Sequence, residues 1–317
     1  MEARRPPKKP PNTSSTTSRE RRDARLMCAA RESETAHTGS AAGVVVLIDA
    51  SDVRDCVVRW AAEDAALHGE SLTLLMALPR DDLTVRNPEV VRRLRKLERR
   101  SAVTLLEHAR CIAESTVGSG GNPWLTEQMI FAAPVDAMVS AAQRHRLVVV
   151  GRDSISSGML RRSPRPVAVI PDDGRNLRRR DSVLLGVAGP PTSDDATALA
   201  FDEASKRRVP LTVLHVSCGA ARSNVESGPD VRARLARWSE RYPNVAVNLV
   251  QEPGHPTQRL LHHSRIAQLV VVGRRRRFGP ASLAHRHVGT AVIHASTVPV
   301  IVVPDTADAE VAISSPG

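Results

Sequence analysis

Short apolar runs alternate along the chain with longer runs in which apolar residues recur every three or four positions. Residues 44–48, 71–78 and 147–151 are almost continuously apolar, as in strands buried within a parallel sheet. The segments 57–65 and 134–145 have helical spacing between those strands, and Pro134 suits a first helical turn. The alternation predicts an α/β fold with a parallel, doubly wound sheet.

The same order of elements occurs twice. LVVVG at 147–151 returns as LVVVGR at 269–274. A repeat of roughly 120–140 residues has the length of a domain rather than of a solenoid unit. We therefore expect two tandem Rossmann-like domains, in residues 43–173 and 182–305.

Both copies contain a charged helix with an apolar stripe. In the first copy, Leu94, Leu97, Leu105 and Ile112 mark the stripe of a long helix that runs from Pro88 to about residue 115. The second copy is predicted to have strands at 183–187, 211–216, 245–251, 269–273 and 299–303, and helices at 194–207, 229–241, 256–266 and 283–295.

Composition favours a reduced, cytoplasmic protein. The chain is 41% hydrophobic, with an aliphatic core because aromatic residues make up only 2%. No apolar run reaches the roughly 20 residues that span a bilayer, and the N-terminus lacks the apolar stretch of a secretory signal, so no membrane partner is expected. The scattered cysteines form no CxxC pair, which is typical of reduced thiols: Cys28, Cys56, Cys111 and Cys218.

The net charge of +11 is concentrated in two places. Residues 1–42 hold nine Lys/Arg against five Asp/Glu in a Pro- and Ser-rich segment, which predicts a disordered basic tail. Four consecutive arginines occupy 274–277. Residues 174–181 form a basic linker between the copies, and 306–317 are predicted to be a disordered C-terminus.

Several motifs resemble the universal stress protein family in its tandem form. They are VVVLIDAS at 44–51, WAAEDAALHGESLTLL at 60–75, EPGHPTQRLLHHSRIAQLVVVGR at 252–274 and TAVIHASTVPVIVVP at 290–304. The resemblance covers nearly all of 43–305. It implies a five-stranded, adenine nucleotide alpha hydrolase-like sheet in each domain, with the two copies packed as a pseudo-dimer.

The resemblance also implies an ATP site, which many members of the family have. They use an Asp after the first strand and the motif G-x2-G-x9-G-[S/T] after the fourth. Glycines let the backbone approach the phosphates, and the N-terminus of the next helix offers N–H groups and a positive dipole.

In the second domain most of this motif is lost. Gly273 matches the first glycine, but arginines replace the second and third glycines, a histidine replaces the Ser/Thr, and Ala188 stands in place of the Asp. The positions carried over here are Val272, Gly273, Arg276, Arg286, His287 and Val288.

The first domain keeps Asp49 but is shortened. Gly151 lies 15 residues before Pro166, whereas Gly273 lies 26 residues before Pro299. We interpret the difference of about 11 residues, three helical turns, as deletion of the fourth helix and its phosphate loop. The deletion would leave an apolar patch that a homodimer would cover. Neither copy is expected to bind ATP in the family's way, so no cofactor is expected.

Each candidate ligand contact could instead have a purely structural role. Asp49 could contact a ligand or cap the following helix. Gly151 and Gly273 could contact a ligand or simply end their strands. The arginine run could be a replacement anion site, a contact for nucleic-acid backbone, or a solvated loop: Arg274, Arg275, Arg276 and Arg277.

No pattern points to a metal site or to catalysis. The histidines at 262, 263, 285, 287 and 294 match no zinc spacing. No nucleophile, base and orienting group can be named together, and Walker A and G-x-S-x-G are missing. We therefore expect a protein that is not an enzyme.

The sequence thus predicts a regulatory or interaction protein of the stress response, with an unidentified protein partner. The alternatives are a nucleotide or anion sensor and a basic protein associated with nucleic acid. Nucleic-acid binding is not expected, because few aromatic residues are available to stack on bases. The final strands of the copies, 166–170 and 299–303, could pair edge to edge and hide both edges.

Overall fold

A computed structural model describes residues 43–49, 53–78, 88–118, 124–172, 182–187, 194–217, 228–274 and 288–304. The first half contains β1 (Val44–Ile48), α1 (Asp55–His68), β2 (Leu72–Leu78), α2 (Pro88–Val117), β3 (Leu125–Phe131), α3 (Pro134–Ala142), β4 (Leu147–Gly151), α4 (Ser157–Arg162) and β5 (Val167–Ile170). The second half contains β6 (Ser182–Val187), α5 (Asp194–Arg207), β7 (Leu211–Ser217), α6 (Gly228–Arg241), β8 (Val247–Pro253), α7 (Pro256–Ser264), β9 (Ala267–Gly273), α8 (Val288–Ala295) and β10 (Val300–Val303).

All ten strands form one sheet, in the order β3-β2-β1-β4-β5-β10-β9-β6-β7-β8. Every neighbouring pair is parallel except β5 and β10, which are antiparallel and join the halves. Val169 lies opposite Val300, and Ala168 opposite Ile301. The predicted pairing of the two final strands is confirmed.

Helices cover both faces of the sheet. On one face, α1, α2, α5 and α6 pack on residues of both halves in a single hydrophobic cluster. On the other face, α3, α4, α7 and α8 form a second cluster that also spans both halves. Strands buried on both sides explain the continuous Val and Leu runs of the sequence.

Local sequence signals fix the ends of several helices. Gly69 follows α1 with φ 66°, a left-handed conformation that favours glycine, and its N–H bonds to the Ala65 and Ala66 carbonyls. Pro134 lies in the first turn of α3, where its missing N–H costs no hydrogen bond. Of these two signals, the Pro134 start is the one that the sequence analysis predicts, and it is confirmed.

The stripe predicted for the long helix is only half correct. Ile112 is buried and Leu105 packs against the core, but Leu94 and Leu97 are 37% and 58% exposed. The physical reason is that the described sheet and helices do not cover the N-terminal half of α2, so Leu94 and Leu97 stay exposed.

The predicted deletion of the fourth helix in the first half is wrong. Helix α4 is present, with six residues against eight in α8, and the side chain of its Met159 is buried. Five residues separate β4 from α4, whereas fourteen separate β9 from α8. Most of the missing length is therefore taken from the loop.

The uncovered apolar patch expected beside that helix is also not found. In the described part of the chain, no large hydrophobic residue between 152 and 170 is exposed. The side chain of Met159 and the half-buried Ile155 and Leu160 close this part of the second cluster. Homodimer formation stays a prediction without that support.

The tail 1–42, the linker 174–181 and the segment 306–317 lie outside the described residues, and the domain limits stay predictions. Within the described ranges, no helix is both long enough and apolar enough to cross a bilayer.

The first prediction concerns the seam between the halves, by which we mean the β5–β10 strand pair. Ile301 is fully buried where β10 meets β5. Ile301→Ala should lower the free energy of unfolding by about 2–5 kcal/mol, because it removes packed methyl groups and leaves a cavity. Urea denaturation followed by tryptophan fluorescence measures the change.

Ile266→Ala is the matched control, since Ile266 is 66% exposed. It should change the free energy of unfolding by no more than about 0.5 kcal/mol. Equal effects of the two substitutions would contradict a tightly packed seam.

Candidate functional site

The strand order of the first half reverses between β1 and β4. These two neighbours are parallel, with Val44 opposite Leu147 and Val46 opposite Val149. In doubly wound sheets, ligands bind outside the carboxyl ends of the strands at such a reversal. Asp49 follows β1 and Gly151 ends β4, so the structure brings these two predicted residues to the same edge.

Asp49 faces the turn that follows β4. Its Oδ2 atom accepts a hydrogen bond from the Ser154 hydroxyl at 3.1 Å. The N-cap residue of α1 is Arg54, which makes no side-chain cap hydrogen bond. The interpretation of Asp49 as the cap of this helix is therefore wrong.

Gly151 ends its strand without an unusual backbone conformation. Its φ and ψ are −71° and 151°, which any residue can adopt. A Cβ atom there would lie 3.4 Å from a Val57 methyl group, so the glycine also sits close to α1. This geometry supports the interpretation of Gly151 as a strand end.

Ion pairs fill the rest of the first edge. Arg54 donates to Asp153 at 2.8 Å and also to Asp172. A guanidinium nitrogen of Arg152 lies 3.7 Å from Asp172 Oδ2. Among the described residues of this edge, Arg54 and Arg152 are thus already held by carboxylates of the protein.

The second edge is described only in part. Val272 and Gly273 end β9, and Val288 begins α8, where it is half buried against the core. The remaining predicted positions of this half lie outside the described residues: Ala188, Arg275, Arg276, Arg277, Arg286 and His287.

Arg274, the first member of the arginine run, reaches across to the other half. Its guanidinium donates to the carbonyls of Leu160, in α4, and of Ser163, which follows α4; the Ser163 distance is 3.3 Å. Carbonyls at a helix C-terminus lack intrahelical partners and carry partial negative charge, so they attract a cation. Arg274 acts here as a contact between the halves.

Arg152 makes the corresponding contact in the opposite direction. It donates to the carbonyls of Ser296 at 3.0 Å and His294 at 3.4 Å, at the end of α8. Arg152 follows Gly151 as Arg274 follows Gly273. We call these two contacts the reciprocal arginine clamps.

A buried ionic network lies between α1 and α5. Asp64 and Glu203 are the tenth residues of these helices, and His68 and Arg207 are the fourteenth. Arg207 donates to Asp64 at 2.8 Å and to Glu203 at 2.9 Å. Arg207 thus connects Glu203 of its own helix with Asp64 of the other half.

Arginines occupy most of the carboxylate oxygens in this network. Arg146 donates to the second oxygen of Asp64 at 2.9 Å and to Glu70 at 2.8 Å. Donor atoms of Asp64, His68 and Glu203 lie within 4.8 Å of one another, close enough for a metal ion. Guanidinium groups already hold both Asp64 oxygens and one Glu203 oxygen, so the arrangement is that of an ion-pair network rather than of a metal centre.

The network favours a charged ring on His68. Its Nδ1 lies 2.9 Å from the Asp64 carbonyl, and its Nε2 lies 3.2 Å from Asp202 and 3.5 Å from Glu203. An imidazolium donates on both sides, whereas a lone pair on either nitrogen would face an oxygen. Burial opposes the charge, but the carboxylates outweigh it and raise the pKa of His68 above its ordinary value of 6.5.

Comparison with known proteins decides the family. Residues 179–304 match the model of the Universal stress protein family. A universal stress protein of Mycobacterium tuberculosis is 34% identical over 288 residues, covering 83% of this chain and 96% of the relative. One from Mycobacterium bovis is 35% identical over 291 residues, covering 82% and 96%. The chain belongs to the universal stress protein family.

A solved universal stress protein from Archaeoglobus fulgidus has the same fold. It superposes with a TM-score of 0.65 over 85% of this chain and 98% of that structure, at 18% identity. At this identity the likeness supports the Rossmann-like α/β fold of the present universal stress protein and no finer property.

Sequence reasoning predicted the pairing of β5 with β10 but missed the reciprocal arginine clamps and the buried ionic network of this universal stress protein. A Gly-Arg pair follows the fourth strand in each copy, so aligning the repeats shows that the arginines correspond. The same alignment places Asp64 opposite Glu203 and His68 opposite Arg207. These equivalent charged positions are the signal in the sequence that could have indicated contacts between the halves.

The clamps predict a stability effect for Arg274. Arg274→Met should lower the free energy of unfolding by about 1–3 kcal/mol, because it leaves two helix-end carbonyls without their charged donor. Arg152→Met should have an effect of the same sign. Urea denaturation of the full chain measures both.

Arg144→Met is the control, since Arg144 is an exposed arginine at the surface. If Arg274 instead served only as an anion site, Arg274→Met would leave stability unchanged in phosphate-free buffer and abolish stabilisation by added phosphate.

The charged His68 predicts a dependence of stability on pH. A raised pKa in the folded state stabilises fully below the unfolded value near 6.5, and this contribution is lost as pH rises through the folded pKa. His68→Gln should therefore destabilise the protein most below pH 6.5 and less at alkaline pH. Unfolding measured for both proteins across this range gives the difference.

His108→Gln serves as the matched histidine control, because the His108 side chain is 57% exposed. A loss of stability for His68→Gln that is constant with pH would show that His68 contributes by packing rather than by charge.

Proposed function

We propose that this universal stress protein acts in the stress response as a non-enzymatic regulatory or interaction protein, and that neither half binds ATP in the family's usual way. One observation carries the proposal. Only five residues separate β4 from α4, and the turn at 152–154 folds back so that Ser154 bonds to Asp49. Protein atoms thus engage the retained Asp where the family's phosphate loop would begin.

The charges of the first edge also disfavour a polyphosphate. Asp49, Asp153 and Asp172 contribute three carboxylates, and the cations beside them are committed to protein acceptors. A triphosphate entering here would have to displace Arg54 or Arg152 from those partners. Like charges within a few ångströms repel, and no described backbone N–H cradle offsets that repulsion.

In the second half the proposal is supported by the sequence. Bulky residues at Arg276 and Arg286 stand where the family has glycines, and an arginine side chain restricts close approach of the backbone to phosphate. The alternative is that the arginine run 274–277 forms a replacement anion site. Its first arginine, Arg274, already binds carbonyls of the other half.

Buried titratable groups support a non-enzymatic role. Asp64, His68 and Glu203 bind one another and two arginines between the halves. His145 lies within bonding distance of the Ala141 carbonyl and the Thr73 hydroxyl, and burial lowers its pKa. These contacts are those of structural side chains, whereas a general base needs access to a substrate proton.

Calorimetry with Mg-ATP on the full chain tests the proposal. The expected dissociation constant is weaker than about 100 µM, corresponding to a binding free energy below about 5.5 kcal/mol in magnitude. Saturable binding with a sub-micromolar constant, about 8.2 kcal/mol or more, would overturn it.

A restored variant provides the matched comparison. It combines Ala188→Asp, Arg276→Gly, Arg286→Gly and His287→Ser, which returns the family's motif to the half whose loop has kept its length. Binding by this variant but not by the natural chain would attribute the loss to these four positions.

Mass spectrometry of small molecules released from natively purified protein gives an independent readout. An empty protein supports the ligand-free interaction role. Recovery of a stoichiometric nucleotide would contradict it.

A further inference from the structure

The N-terminal half of α2 extends beyond the body of the protein. Arg99 lies over the ring of Phe131, the last residue of β3, at 5.0 Å from the ring centre. Eleven helical residues, 88–98, precede that point and reach about 16 Å at 1.5 Å per residue. From 89 to 101 every described side chain is exposed except the half-buried Val91, and burial begins at Ala102. We call residues 88–101 the α2 extension.

The corresponding helix of the second half shows what the fold itself needs. Helix α6 has 14 residues against 30 in α2, and it packs on the core along one stripe through the buried Val231 and Leu235 and the partly buried Trp238. From Ala102 to its end, α2 has a similar length and the same packing role. The α2 extension therefore contributes little to the core of its own half.

An apolar stripe runs along this exposed segment. Val90, Leu94 and Leu97 are 42%, 37% and 58% exposed, and their spacing of four and three residues places them on one helix face. Scattered apolar residues on a surface are ordinary, but three aligned on an unpacked helix form a contact face.

Mostly basic residues flank the stripe. The α2 extension contains six Lys/Arg and two Asp/Glu. At 100° per residue, Arg93 and Arg100 lie on one side of the stripe, and Glu98 followed by Arg95 lies on the other. A second α2 extension packed against this face would bring like charges together, so the occupant of the face is anionic and partly apolar.

We propose that the α2 extension docks on the surface of an anionic lipid bilayer. A helix with an apolar stripe, a basic polar face and low mean hydropathy lies in the plane of the membrane interface. Val90, Leu94 and Leu97 would enter the acyl boundary, and the flanking arginines would bind lipid phosphates. A nucleic acid would engage the arginines but leaves the apolar stripe without a partner. The proposal does not depend on the absence of ATP binding.

Co-sedimentation of the full chain with lipid vesicles tests the docking. Vesicles of phosphatidylcholine containing about one third phosphatidylglycerol should bind the protein, vesicles of phosphatidylcholine alone should not, and added salt should weaken the binding. Leu94→Gln/Leu97→Gln and Arg93→Gln/Arg100→Gln should each reduce the partition coefficient by about tenfold or more.

Ile266→Gln and Arg144→Gln are the matched controls, because both residues are exposed but lie outside the α2 extension. Their binding should equal that of the natural chain. All variants change exposed side chains, and unchanged thermal unfolding will show that they fold.

Three outcomes overturn the proposal. The first is no binding to anionic vesicles at low salt. The second is binding that the two leucine substitutions leave unchanged. The third is binding to a duplex DNA fragment or to polyglutamate, reduced by the same arginine substitutions, while vesicles stay unbound.

Discussion

The antiparallel pairing of β5 with β10 is the constraint on which the rest of the molecule depends. Each strand has four residues and would be the exposed edge of its own half-sheet. Unpaired edges expose N–H and C=O groups that recruit other strands, and this pairing satisfies them within one chain. Ile301 and Ala168 lie in the hydrophobic cluster of one face, and Val300 and Val169 lie in that of the other, so both clusters continue across the halves.

Two further contacts follow from that pairing, and both exchange equivalent residues between the halves. The reciprocal arginine clamps use Arg152 and Arg274 in the same way. The buried ionic network is symmetric in position but not in chemistry, since His68 occupies the place that Arg207 has in the other half. The same position is thus permanently charged at Arg207 but titratable at His68.

The hydrophobic pattern was sufficient to predict the strands, the parallel order and the closing pair, because buried strands impose a strong signal. It failed at Leu94 and Leu97, since a helical period does not reveal where the sheet beneath it ends. The helix at 157–162 could not be predicted from the repeat. The length of the chain shows how many residues are missing but not whether the loop or the helix is shorter. The pairing of Asp64 with Arg207 depends on how two helices meet, which neither periodicity nor a motif encodes.

The antiparallel seam also sets the direction in which each half faces. All strands of one half run parallel to β5, and all strands of the other half run parallel to β10. The carboxyl ends of the two halves therefore point in opposite directions along the strand axis. The α2 extension and Asp49 stand on one side, and the chain leaving Gly273 stands on the other. With ten strands about 4.8 Å apart, the sheet is about 43 Å wide. The carboxyl edges of the two halves thus face in opposite directions along the strands and do not form the two walls of a common cleft.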